Sequence, residues 1–67
     1  MSEFLLGQRY DITYLHKEKG FKNKTFVKEV NLINVMFHHS IYLYLIFWTG
    51  SEYIKVLRKN LVRYRQV

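Results

Sequence analysis

The stretch Leu43-Tyr44-Leu45-Ile46-Phe47-Trp48-Thr49-Gly50-Ser51-Glu52-Tyr53-Ile54-Lys55-Val56 decides the fold. Two runs rich in aromatic and β-branched residues, the types that suit a pleated surface, flank a short polar segment containing Gly50. With a loop of Thr49 and Gly50 alone, Leu45 faces Ile54 and Leu43 faces Val56. A four-residue loop keeps the same parity. A three-residue loop would set Lys55 opposite Leu45 and mix charge with core. Because a one-residue slip turns every side chain to the other face, an even loop is predicted. One face then carries Leu43, Leu45, Ile54 and Val56; the other carries Tyr42, Tyr44, Ile46, Trp48, Tyr53 and Lys55.

Upstream, residues 8–15 alternate, with Tyr10, Ile12 and Tyr14 on one side and Arg9, Asp11 and Thr13 on the other, which is a strand pattern. Residues 16–24 are polar, contain Gly20 and lack periodicity, so a long loop is expected there. Residues 25–37 read as a long strand, bent where the alternation changes phase near Leu32 and Ile33. The competing pattern is a helical stripe of Phe26, Val30, Ile33 and Phe37. His38-His39-Ser40 is a turn and residues 41–48 a strand. Downstream, residues 52–57 return as a strand, Arg58-Lys59-Asn60 is a polar break, and residues 61–66 form a last strand. The alternative is a basic C-terminal helix capped by Ser51, with Ile54, Leu57, Leu61 and Tyr64 as its stripe, which would make the chain α+β.

A strand, a long loop, a bent second strand, a Gly-turn hairpin and a polar break before a fifth strand resemble the layout of SH3-like barrels over residues 8–66. The expected fold is therefore mostly β: one small five-stranded SH3-like barrel spanning residues 1–67. That resemblance lies in layout and implies no activity, since such barrels bind peptides, RNA, DNA and proteins alike.

Composition sets the remaining bounds. At 67 residues the chain is one domain that buries only about 60% of its unfolded surface, so its core is marginal. Aromatic residues, 18% of the chain, compensate by burying large areas. Without cysteine there is no disulfide and no thiolate, which fits a reducing compartment. The start lacks a positively charged leader, and the longest apolar run, residues 41–48, is far short of the roughly twenty residues of a membrane span. The expectation is a cytoplasmic protein with no membrane span.

Catalysis is not expected. Glu3, Asp11, Glu18, Glu29 and Glu52 show no paired-carboxylate spacing, and there is no nucleophile elbow or phosphate-cradling glycine loop. His38 and His39 are adjacent, and neighbours on a strand point to opposite faces, so neither a metal site nor a cofactor is expected.

The formal charge of +6 points instead to a polyanionic partner. Basic residues fall in two groups: Lys17, Lys19, Lys22, Lys24 and Lys28, then Lys55, Arg58, Lys59, Arg63 and Arg65, with no acid after Glu52. The two groups meet if the long loop folds over the barrel. The face of Tyr42, Tyr44, Trp48 and Tyr53 beside Lys55 offers rings for base stacking, each worth about 1–3 kcal/mol. The leading expectation is a non-enzymatic nucleic-acid-binding module. Its candidate residues are Tyr42, Tyr44, Trp48, Tyr53, Lys55, Arg58, Lys59, Arg63, Arg65, Lys22 and Lys24. The alternative is a small regulator or inhibitor that engages an acidic protein surface, its exposed aromatics serving as anchors and its charge steering encounter. In style such a chain resembles accessory proteins of viruses or mobile elements. A third arrangement is a homo-oligomer that buries the same aromatic face.

Overall fold

The computed structural model describes residues 3–18 and 20–67. Its strands are β1 (Arg9–Glu18), β2 (Phe21–His38), β3 (Ile41–Trp48), β4 (Tyr53–Leu57) and β5 (Leu61–Gln66), with a 3-10 turn at Arg58–Asn60 before β5. The protein is mostly β, as the sequence indicates. All five strands form one antiparallel sheet in the order β4-β3-β2-β1-β5. Neither the helical stripe over residues 25–37 nor the C-terminal helix exists; the first segment lies within β2 and the second supplies β4, the 3-10 turn and β5. No helix is long and apolar enough to cross a membrane.

The long loop expected at residues 16–24 is also overturned. Its two halves are the ends of β1 and β2, paired as far as Glu18 opposite Phe21. Polarity concealed the strands because this end of the hairpin reaches past the core, where no apolar face is required.

β2 has 18 residues and would run about 56 Å if straight, yet the longest molecular extent is 36 Å. It bends at two irregularities. Near Glu29, which has φ +50°, the ladder with β1 shifts register; between Leu32 and Asn34 the ladder with β3 does the same, leaving Ile33 as the extra residue. The second bend falls where the alternation of the sequence changes phase.

A flat five-stranded sheet would hold its edge strands about 19 Å apart. Leu57 ends β4 and Leu61 begins β5, and four residues span at most about 14 Å even when fully extended. The sheet must therefore curl to bring its two edges together at the 3-10 turn. The curl stops short of the closed barrel expected from the sequence, since the ladders end at β4 and β5 without joining them.

Inside the curl, Phe4, Tyr10, Ile12, Val30, Leu32, Leu45, Phe47, Val56 and Leu61 are buried, with Tyr14, Val27, Val35, Tyr42, Ile54 and Tyr64 packed around them. The β3–β4 connection holds four residues, 49–52, so Leu45 faces Val56 and Phe47 faces Ile54. Parity is as expected, but the pairing is displaced by two residues, and Leu43 leaves the core for a 47% exposed position. The cause is a register shift in the β2–β3 ladder: Met36 faces Tyr44 while Phe37 faces Tyr42, so Leu43 is the unpaired residue of a bulge. Thr49 fixes this four-residue turn, its Oγ1 accepting from the amides of Ser51 at 3.3 Å and Glu52 at 3.1 Å.

The β2–β3 turn is strained. His39 and Ser40 have φ of +50° and +62°, a left-handed pair that Asn-Gly adopts at far lower cost. The double variant His39→Asn, Ser40→Gly should stabilise the protein by about 0.5–1.5 kcal/mol, read as a higher urea midpoint at unchanged m-value.

An N-terminal strap, residues 3–8, covers the open end of the curl. The Gly7 amide donates to the Leu32 carbonyl at 2.7 Å, and the Leu32 amide donates to the Gln8 carbonyl at 2.9 Å. Phe4 enters the core against Tyr10, Tyr42 and Tyr64, with ring centroids 6.1, 5.2 and 4.7 Å away. The Glu3 carboxylate accepts from the Tyr64 hydroxyl at 2.5 Å and from Arg58 at 2.6 Å.

This contact makes stability depend on pH. The Tyr64 hydrogen bond, reinforced by Arg58, holds the Glu3 carboxyl below its usual range against a smaller opposing effect of desolvation. An unfolded chain then binds the proton more readily, so the contribution is complete above the ordinary glutamate pKa of about 4.3 and is lost as pH falls through the depressed folded value. Tyr64 shows the mirror effect: donating to Glu3 raises its pKa, and that contribution is lost as pH rises through the raised value. In thermal melts across pH, Glu3→Gln should fall below wild type near neutrality and converge with it in acid, as the carboxylate takes up its proton. A gap that persists unchanged into acid would contradict the assignment.

Candidate functional site

The sheet alternation places odd-numbered β4 residues outward. Tyr53, Lys55 and Leu57 are exposed, whereas Val56 is buried and Ile54 half-buried. Facing them on β3 are Trp48, Ile46 and Tyr44, respectively. Trp48 and Tyr53 form a tilted pair with centroids 4.6 Å apart, and Tyr53 is 69% exposed. The Lys55 ammonium sits 4.4 Å from the centre of the Tyr44 ring, a cation–π contact that occupies one face of that ring. Tyr42 does not share this surface. The bulge at Leu43 turns it toward Phe4 and Phe37, with centroids 5.2 and 4.9 Å away.

Leu57 continues this row into a groove of about 360 Å³ lined by Leu15, Lys17, Lys22, Leu57, Lys59 and Asn60. Three elements supply its cations: Lys17 from β1, Lys22 from β2 and Lys59 from the 3-10 turn. Among the described residues, no carboxylate lines it. Lys17 and Lys22 are direct cross-strand partners, an arrangement of like charges that costs stability. Lys24 lies two residues along β2 from Lys22, opposite Leu15 and on the same side of the strand. The lysines of the first hairpin and Lys59 thus meet, through a β-hairpin instead of a folded-over loop.

The three candidate arginines, Arg58, Arg63 and Arg65, lie elsewhere. Arg58 is bonded to Glu3 and stacked over the rings of Phe4 and Tyr64, at 5.6 and 5.7 Å, so it holds the strap. Arg63 and Arg65 lie on β5, at the edge of the sheet order opposite to Lys55, around a hollow of about 320 Å³ with Asp11, Thr13 and Phe26. Arg65 pairs with Asp11 at 3.0 Å. The Asp11 carboxyl, which also accepts from the Glu29 amide at 2.9 Å, is held below its usual range chiefly by that backbone bond and then by Arg65. Arg63 makes no ion pair among the described residues.

Lys17, Leu57 and Asn60 line the groove without being among the candidates that the sequence marks. The signal for the first lay in the spacing of Leu15 and Lys17 against Lys22 and Lys24, which mirror each other about Lys19 and Gly20 as hairpin arms do. Nothing local marks Leu57 or Asn60, because they join the groove only through the curl of the sheet. His38 and His39 have rings 3.9 Å apart at the β2–β3 turn, and among the described residues no group of three or more His, Cys, Asp or Glu side chains converges on one point.

Comparison with protein families, curated proteins and solved structures finds no match to this chain.

Proposed function

We propose that the protein is a non-enzymatic binding module whose ligand is nucleic acid. One observation carries this reading: the pair of half-buried Trp48 and exposed Tyr53 and the groove of Lys17, Lys22 and Lys59 are joined along one strand through Lys55 and Leu57. Rings that accept a base face and ammonium groups that neutralise phosphate are the two components of sequence-tolerant nucleic-acid binding. The strand order β4-β3-β2-β1-β5, with a 3-10 turn before β5, supports an SH3-like layout, a scaffold on which such a surface is readily built.

Fluorescence anisotropy with labelled oligonucleotides over a salt series tests the reading. Affinity is expected to fall linearly with salt on logarithmic axes. Lys22→Ala with Lys59→Ala should reduce the slope by about 1.4 on single strands, or about 1.8 on duplex, one contact per lysine. Arg63→Ala with Arg65→Ala should change it less, since Asp11 already neutralises one of the two. Failure of every oligonucleotide to bind at low salt would end the nucleic-acid reading.

A second reading is favoured by one further feature. Beside the lysine groove, and sharing Leu57 and Lys59 with it, lies a hollow of about 390 Å³ lined also by Ile41, Tyr42 and Leu43. Exposed Ile41 and Leu43 next to an ammonium group suit an acidic protein partner that inserts an apolar side chain. Under that reading Leu43→Ala weakens capture of the partner and leaves oligonucleotide binding unchanged.

A further inference from the structure

Resting on the nucleic-acid reading, we infer that the strip from Trp48 and Tyr53 to Lys17, Lys22 and Lys59 is built for a single strand, about three nucleotides long, and discriminates against duplex. Three features point the same way. First, Tyr53 presents an open ring on an outward face, and in a duplex the base faces are stacked on one another and hidden. Such a ring contributes to affinity only when a base is unpaired. Second, the strip is one backbone wide from its stacking end as far as Leu57. Tyr53, Lys55 and Leu57 step along a single edge strand over about 13 Å, and the sheet curls away behind them. A duplex presents two phosphate rows across a major groove about 12 Å wide and requires cations along both. Third, lysines that make no ion pair among the described residues are concentrated at one end of the strip. Lys17 and Lys22 face each other directly, with Lys59 beside the same groove, so repulsion within the free protein is relieved when phosphate enters.

The geometry also assigns separate tasks along the strip. A base stacks on the Trp48–Tyr53 pair. Lys55, held over Tyr44, meets the backbone at the middle. Phosphate is clasped in the groove, where Asn60 adds hydrogen-bonding capacity. Trp48 is the one tryptophan of the chain, so its emission reports the stacking end without a label.

The deciding experiment titrates the full chain with an unlabelled single-stranded oligonucleotide, the matching blunt duplex and heparin at equal ionic strength, reading both Trp48 emission and competition against a labelled single strand. The single strand is expected to bind at least about tenfold more tightly than the duplex and to quench Trp48. Trp48→Ala should cost about five- to 150-fold in single-strand affinity at unchanged salt slope, with partial rescue by Trp48→Phe. Lys17→Ala with Lys22→Ala, both exposed positions that relieve a repulsion and so leave folding intact, should lower the slope by about 1.4 while retaining the quench. Duplex binding as tight as single-strand binding overturns this inference and leaves the nucleic-acid reading standing. Quenching by heparin equal to that by the single strand, or single-strand binding with no change in Trp48 emission, overturns it too. Absence of binding to either oligonucleotide ends both.

Discussion

Replacing Phe47 with alanine should leave the protein largely unfolded at room temperature. Phe47 is among the fully buried side chains, faces Ile54 across the β3–β4 ladder and meets Tyr10 with ring centroids 6.4 Å apart. Truncating a buried phenylalanine costs about 3–5 kcal/mol, from lost transfer free energy and from the cavity left behind. A domain of this length without a disulfide rarely has more than about 3–5 kcal/mol in total. The two quantities are equal within their uncertainty, so the variant should lose its cooperative thermal transition in circular dichroism. Leu43→Ala, four residues away on the same strand, is the control. Its side chain stands on the bulge and is half exposed, so its melting temperature should stay within a few degrees of wild type. Equal losses in the two variants would mean that the register shift at Leu43 is misplaced.

The second large effect is expected at Phe4, a residue outside every strand. It contacts Tyr10, Tyr42 and Tyr64, and Arg58 lies over its ring at 5.6 Å. Phe4→Ala should cost about 3 kcal/mol, near the low end for a buried phenylalanine because a strap outside the sheet ladders relaxes more freely than a central strand. The strap should also loosen locally. Amide exchange at Gly7 and Leu32, whose N–H groups bond across the strap–β2 contact, should accelerate beyond the loss in global stability. A stability change under about 0.5 kcal/mol, with unaltered exchange at those amides, would show that the strap rests on the sheet without closing it. Because Arg58 and Tyr64 reach the same strap through Glu3, the acid sensitivity argued for Glu3→Gln and the loss in Phe4→Ala are coupled and should not add.

The candidate site divides along similar lines. Lys55, Tyr53 and Trp48 were legible as one surface because strand parity alone places them together. Arg58 reads as a free basic residue in a polar break, yet Glu3, 55 positions earlier, meets it. Tyr42 was assigned by parity to the face of Tyr44 and is turned away by one bulged residue. Lys17 was hidden in what looked like a loop.

By itself the sequence determined the mostly β character, the β3–β4 hairpin and its parity, the bend near Ile33 and the absence of acid after Glu52. Each of these is a local property: residue type, period-two alternation, a phase change, a count of charges. Only the tertiary structure decided the rest. The curl that brings Leu57 beside Leu61, the strap that buries Phe4, the bulge that exposes Leu43 and the meeting of Lys59 with Lys17 and Lys22 all depend on contacts between distant segments. Those contacts are chosen by the shared need of a small core to cover all of its apolar surface, and no window of neighbouring residues carries that constraint.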